Sequence, residues 1–169
     1  MSPQPLPFDH DDASDLPIFI REWRDTVDRQ LQRLDEGHAS DANLLIVAAH
    51  QLQLACRAYA VDDSKGDLTR LVDDFAATHP HLPELRNFIV HFDEYYRGQG
   101  RHPQARGRRV FRYSYGRSAG EWELAFGLYP ESHCRVDALG RDAVAMADQV
   151  LALPPDIDGW INRMMRRRR

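Results

Sequence analysis

The sequence predicts a mainly α-helical fold, in which an antiparallel helical bundle is followed by a C-terminal β-hairpin or three-stranded meander and a final helix. Two observations support this α+β arrangement. Apolar residues recur at helical spacing through residues 14–98, and the pattern changes to alternation within residues 109–136. The chain has 169 residues, of which 43% are hydrophobic, so one domain with a substantial core is expected.

Three helices are expected in the first half of the chain. The first covers residues 14–37 and ends at Gly37, and the second covers residues 40–59 with Leu44 on its apolar side. The apolar seam of the first helix at helical spacing consists of Ile20, Trp23, Val27, Leu31 and Leu34. Because a short turn joins them, these two helices should form an antiparallel hairpin. A short third helix follows, and Asp67 is expected to cap it.

Residues 82–97 are predicted to form a single amphipathic helix, the motif helix. At about 100° per residue, Asn87 and His91 fall on the side opposite the apolar stripe, with Tyr95 at the border. Arg86 lies on the other flank of the stripe. The stripe itself follows the i, i+3, i+4, i+7, i+11 spacing of a core-facing helix and consists of Leu85, Phe88, Ile89, Phe92 and Tyr96.

The order Arg86-Asn87-x-x-x-His91 resembles the signature of the HEPN superfamily, in which an Arg, a following polar residue and a His lie on one helix of a bundle. The resemblance implies a metal-independent endoribonuclease of the toxin or defence type. It equally admits a non-catalytic relative that binds RNA, a nucleotide or a protein. Arg86 would hold phosphate, His91 would act as acid and base, and Asn87 would orient them. A subgroup of the family's toxins has a Tyr two residues after the His, where this chain has Asp93.

The resemblance also implies a homodimer that forms through the motif helix. Arg86 and His91 diverge by about 140° around a regular helix, so one copy makes an awkward active site. A twofold interface would bring two arginines and two histidines to one cleft. In a purely structural alternative, the motif has no function and Arg86 forms an ion pair with Asp93 or with an acidic residue of the first helix.

A Gly- and Arg-rich segment, residues 99–108, follows the motif helix and is expected to be a loop. Arg97 and Arg101 flank its start, and together with Tyr95 they are the expected substrate-binding residues. A solvated linker without such a role explains the same arginines. Neither a cofactor nor a metal is expected.

Residues 109–136 are predicted to form a β-hairpin with one aromatic face, and residues 133–136 could add a third strand. That face could pack against a helix, stack on single-stranded bases, or recruit a protein partner such as an antitoxin. Helices within residues 137–165 should pack on the same domain, followed by a basic tail, residues 166–169. The aromatic face is built from Phe111, Tyr113, Tyr115, Trp122, Leu124 and Phe126.

Composition restricts the remaining possibilities. Residues 1–13 are expected to be a disordered lead-in without a secretion signal, and no run approaches the ~18 apolar residues of a membrane span. Two cysteines support neither a disulfide framework nor a zinc site, so a cytoplasmic location is expected. The net charge of −4 argues against a protein that coats nucleic acids in general.

His50 lies one position off the apolar stripe of the second helix. It is interpreted either as a boundary histidine whose hydrogen bonds are satisfied or as a second imidazole near the motif helix.

Overall fold

The computed structural model describes residues 15–38, 40–97, 99, 112–127, 132–153 and 165. It confirms the mainly α fold with a C-terminal three-stranded meander and a final helix. The predicted lead-in, the basic tail, Arg101 and nearly all of the Gly- and Arg-rich loop lie outside the described residues. In chain order, the elements are α1 (Leu16–Asp35), α2 (Asp41–Tyr59), a 3-10 turn (Ala60–Asp62), α3 (Asp67–Thr78), α4 (Leu82–Val90), α5 (Phe92–Tyr96), β1 (Arg112–Ser118), β2 (Glu121–Gly127), β3 (Ser132–Arg135) and α6 (Val136–Ala152).

The core forms where α1, α2 and α6 pack against one another. Helix α3 packs against both α6 and α2, and α4 packs against α2. Helix α1 ends in a Schellman turn, in which Gly37 has a φ of 97° that L side chains rarely adopt. This turn lets α2 fold back along α1. Of the predicted seam of α1, the residues Ile20, Val27 and Leu34 are fully buried. Trp23 and Leu31 are partly buried and pack against the core.

The predicted apolar side of α2 was wrong at Leu44, whose side chain is 56% exposed. Helix α2 contacts α1, α3, α4 and α6, so its buried face is too wide to be a single stripe. The residues that it buries are Asp41, Ala42, Leu45, Ile46, Ala48, Ala49, Leu52, Gln53 and Cys56.

The cap of α3 also differs from the prediction. The carboxylate of Asp63 accepts hydrogen bonds from the backbone N–H groups of Leu68 at 2.6 Å and Thr69 at 3.4 Å. Asp67 instead lies in the first turn and pairs with Arg70 at 3.3 Å. Asp63 therefore satisfies the free donors at the start of α3 from a position four residues upstream of the helix.

The three strands form an antiparallel sheet in the order β1-β2-β3. Tyr115 pairs with Leu124, and Arg117 pairs with Trp122, so these four side chains share one face. Leu124 is fully buried, while Tyr115 and Trp122 pack at the edge of the core. This arrangement supports the interpretation that the aromatic face packs on a helix, because β2 contacts α6. The side chains of Phe111, Tyr113 and Phe126 lie outside the description.

Candidate functional site

The motif helix is broken at His91. The prediction of one helix over residues 82–97 was therefore wrong, because His91 has φ −114° and ψ 32° and separates α4 from α5. Its backbone N–H still donates to the carbonyl oxygen of Asn87 at 3.0 Å, and its carbonyl oxygen accepts from the N–H of Glu94 at 3.0 Å. His91 thus ends one helix and begins the next, near the bridge region of φ/ψ space where many active-site residues are found.

The break changes which side chains face the core. Phe92, predicted to be buried, is 52% exposed, whereas Tyr95 is only 5% exposed. The ring of Tyr95 packs edge-on against Phe88, with 5.3 Å between ring centroids. Tyr95 was predicted to contact substrate from the border of the polar side. The structure places it in the packing beneath the site, because α5 does not continue the phase of α4.

His91 combines accessibility with a carboxylate neighbour. Its side chain is 29% exposed, and its Nδ1 lies 3.4 Å from Oε1 of Glu94, one turn further along the chain. A carboxylate on the Nδ1 side favours the tautomer that carries its proton there. Within the described residues Nε2 has no hydrogen-bond partner, so this nitrogen is the one that can exchange a proton with a substrate.

Asn87 contacts Arg86 rather than His91. Nη1 of Arg86 donates a hydrogen bond to Oδ1 of Asn87 at 3.0 Å. No hydrogen bond joins the Asn87 side chain to His91 in the part of the chain that the structure describes. Asn87 was expected to orient both Arg86 and His91. The structure contains its contact with Arg86 only.

Arg86 differs from the other arginines in its surroundings. Among arginines with described side chains, only Arg24 and Arg86 are half-buried. Arg24 pairs with Asp148 at 3.0 Å, whereas Arg86 has no carboxylate partner among the described residues. The alternative in which Arg86 pairs with Asp93 or with an acidic residue of α1 is therefore not observed. A half-buried guanidinium without a carboxylate partner among the described residues is free to take an anion as its counter-charge.

His50 reaches the same region from α2, which packs against α4. Burial lowers the pKa of His50, and the positive charge of Arg86 lowers it further. Its Nδ1 is buried and has no hydrogen-bond partner among the described residues, and the same is true of Nε of Arg86. The interpretation of His50 as a boundary histidine with satisfied hydrogen bonds is therefore wrong at Nδ1, and its interpretation as a second imidazole near the motif helix stays a prediction.

Of the remaining predicted substrate-binding residues, Arg97 is exposed at the C-terminal end of α5. No carboxylate pairs with it within the described part of the chain. Arg101 lies outside the described residues. Arg97 directly follows the helix that carries Glu94 and its side chain is exposed, so it remains a candidate for phosphate contact.

Two other kinds of site have less support in the structure. Burial raises the pKa of Cys56 to about 12 and that of Cys134 to about 11, so both thiols stay protonated at neutral pH and are poor nucleophiles. Among the residues described, no three His, Cys, Asp or Glu side chains come together as a metal would require. Nor does any described helix have the length and apolar character needed to cross a bilayer.

Comparisons with protein-family models, with curated proteins and with solved structures give no match to this chain. A half-buried guanidinium such as that of Arg86 can bind a phosphate, and an accessible imidazole backed by a carboxylate, such as that of His91, can transfer a proton.

Proposed function

We propose that this chain is a HEPN-like, metal-independent endoribonuclease of the toxin or defence type, which acts on RNA as a homodimer. The observation that carries the proposal is the half-buried guanidinium of Arg86, which has no carboxylate partner among the described residues. It lies five positions before His91, an accessible imidazole. Cleavage of a phosphodiester requires positive charge at the phosphate and a group that transfers protons, and in the proposed homodimer Arg86 and His91 would supply them.

The proposed reaction needs no group outside the protein and the RNA. The 2′-oxygen loses its proton and attacks phosphorus, the bond from phosphorus to the 5′-oxygen breaks, and the leaving 5′-oxygen takes up a proton. The products are a 2′,3′-cyclic phosphate and a 5′-hydroxyl. Nε2 of His91 performs a proton transfer, and Arg86, fixed by Asn87, stabilises the extra negative charge that develops on the phosphate oxygens.

A homodimer completes this chemistry, because one chain offers one motif imidazole for two proton transfers. Apolar side chains on either side of His91 favour a contact there, since Val90 is 47% exposed and Phe92 is 52% exposed. Exposed apolar residues beside a polar site are typical of a surface that a partner covers. A twofold contact at this point would place the His91 residues of both chains in one cleft.

A cleavage assay with EDTA present tests the function. Wild type and His91→Ala are incubated with single-stranded and structured RNA, and the product ends are identified. We expect wild type to release cyclic phosphate ends and His91→Ala to be at least about 100-fold slower, the usual size of general acid–base catalysis. His38→Ala is the matched control, because His38 is exposed in the turn between α1 and α2.

The outcomes separate the alternatives. Equal activity of wild type and His91→Ala would remove His91 from the mechanism. RNA that binds to wild type but stays intact would identify the chain as a non-catalytic binding module. A protein that neither binds nor cleaves RNA would leave the motif with a role in protein interaction, as expected for contact with an antitoxin or another partner.

A further inference from the structure

A cavity of about 350 Å³ lies between three parts of the fold, namely the turn that joins α3 to α4, strand β3 and the first turns of α6. None of the motif residues lines it. Leu82 and Leu139, which are buried, form part of its apolar wall, together with the half-buried Ala138. A concave, mainly apolar site of this volume that also contains a few polar groups is typical of small-molecule binding.

One polar group of the cavity is an imidazole held in place on two sides. The side chain of His79 is only 12% exposed, and its ring packs against Phe75 with 4.9 Å between ring centroids. Its Nε2 lies 2.9 Å from Oδ2 of Asp142. The carboxylate favours the tautomer that carries its proton on Nε2, so Nδ1 of the neutral ring is a hydrogen-bond acceptor. Within the described residues Nδ1 has no hydrogen-bond partner.

A second imidazole with the same arrangement lines the cavity from β3. Nδ1 of His133 lies 3.0 Å from Oε1 of Glu123, and its side chain is 54% exposed. The carboxylate favours a proton on Nδ1, so Nε2 of the neutral ring is the acceptor. No side chain or backbone group in the described part of the chain bonds to this Nε2. Two imidazoles that line one cavity therefore each have an acceptor nitrogen that the fold does not use.

We propose that this cavity binds a nucleobase. The apolar faces of the base pack against Leu82 and Leu139. Its N–H groups donate hydrogen bonds to Nδ1 of His79 and Nε2 of His133. The ligand class is an uncharged heteroaromatic ring that carries N–H donors, and the inference rests on the proposed function in taking this base from RNA. Among the described residues no third metal ligand joins the two imidazoles, so the N–H groups of an organic ligand are the partners that fit them.

Helix α4 connects the cavity with the proposed phosphate-binding residue. Leu82, the first residue of α4, lines the cavity. Arg86 follows four positions later, which places it on the same face of the helix and about 6 Å further along its axis. This separation is within the length of one nucleotide. A nucleotide whose base occupies the cavity would therefore extend its phosphate along α4 towards Arg86.

Titration of the wild-type chain with nucleosides tests the cavity without RNA. The imidazole signals of His79 and His133 are followed by NMR at pH 7.5 with adenosine, cytidine and purine riboside, which is adenosine without its amino group. We expect adenosine and cytidine to shift both signals saturably. Purine riboside should bind about 5- to 10-fold more weakly than adenosine, as expected for lost hydrogen bonds. Unchanged signals with both adenosine and cytidine, or equal binding of adenosine and purine riboside, would overturn the proposal.

A substitution that fills the cavity tests the location. Ala138→Leu adds three carbon atoms to a side chain that lines the cavity and leaves both imidazoles in place. Ala145→Leu is the matched control, because Ala145 is exposed on the same helix and does not line the cavity. We expect Ala138→Leu to lose nucleoside binding and Ala145→Leu to bind like wild type. Binding that persists in Ala138→Leu would place the ligand elsewhere. Circular dichroism identifies loss of fold, and the wild-type titration decides the question even if a variant unfolds.

RNA separates failure of the cavity from failure of the function. If nucleosides bind in the cavity but wild type leaves RNA unbound and intact, the ribonuclease proposal is wrong and the cavity takes free nucleosides or nucleotides. If RNA is cleaved at the same positions and rates by wild type and Ala138→Leu, the cavity has no part in substrate binding and the function stands. We expect Ala138→Leu to change the base preference of cleavage, whereas Ala145→Leu should keep it.

Discussion

The indole Nε1 of Trp122 donates a hydrogen bond to the carbonyl oxygen of Leu34, 3.1 Å away and 88 positions earlier in the chain. The backbone N–H of Trp122 donates to Oδ2 of Asp137 at 2.6 Å. One residue of β2 is thereby fixed both to the end of α1 and to the first turn of α6. These two bonds attach the sheet to the helical bundle.

Trp122→Phe removes the indole bond and keeps an aromatic ring. Because the bond is partly buried, we expect the free energy of unfolding to fall by about 1 kcal/mol, measured by urea denaturation. Trp23→Phe is the matched control, because Trp23 is half-buried in α1 and its indole has no hydrogen bond within the described residues. Equal losses in the two variants would show that the bond to Leu34 contributes nothing.

Asp63→Ala tests the cap of α3. The variant leaves the N–H groups of Leu68 and Thr69 without their acceptor, so we expect a loss of about 1 kcal/mol in unfolding free energy. Asp67→Ala should cost less, because Asp67 is exposed and pairs only with Arg70 across the helix surface. Thermal and urea unfolding measure the stability of both variants. A larger loss in Asp67→Ala than in Asp63→Ala would show that Asp67 is the capping residue.

The proposed dimer contact is tested at Val90. Val90→Asp places a charge in an exposed apolar position beside His91, so we expect it to shift the protein towards monomer and reduce RNA cleavage. Leu54→Asp is the control, because Leu54 is a similarly exposed apolar residue on α2. Analytical ultracentrifugation measures the mass. A monomeric wild type, or a Val90→Asp dimer with full activity, would contradict the proposed interface.

His50 makes stability depend on pH in a defined direction. Because its pKa is lowered in the folded state, the unfolded chain takes up the proton first as the pH falls below about 6.5, and stability decreases. Burial is the larger cause of the lowered pKa and the charge of Arg86 is the second. Urea unfolding at pH 7.5, 6.5 and 5.5, which spans about 6.5, should therefore show a steeper loss in wild type than in His50→Gln. An equal loss of unfolding free energy with falling pH in wild type and His50→Gln would contradict a lowered pKa of His50.

Helical periodicity alone was sufficient to predict the buried residues of a helix that packs against the core with one side only. It identified Ile20, Val27 and Leu34 in α1, because that helix presents one stripe to the core. It failed for α2, because contacts on several sides bury residues around most of the helix, and the position of Leu44 cannot be read from a wide apolar pattern. The general arrangement was predictable, whereas the phase of a helix packed on several sides was not.

The geometry around the motif residues could not be predicted from the sequence, and their role as a site stays a prediction. Neither Pro nor Gly is present in Val90-His91-Phe92, so the sequence contains no signal for the break that exposes Phe92 and buries Tyr95. The proximity of His50 to Arg86 depends on where α2 passes α4, which no local pattern encodes. The single available sign was that His50 lies one position off its stripe.

The break at His91 divides a motif that is continuous in sequence between two helices, α4 and α5. Arg86 and Asn87 belong to α4, Glu94 belongs to α5, and His91 connects the two helices. Under the proposed function, the residue that would hold phosphate and the carboxylate behind His91 therefore lie on separate helices. A substitution confined to Glu94 would then abolish cleavage and leave Arg86 in place to bind the same RNA.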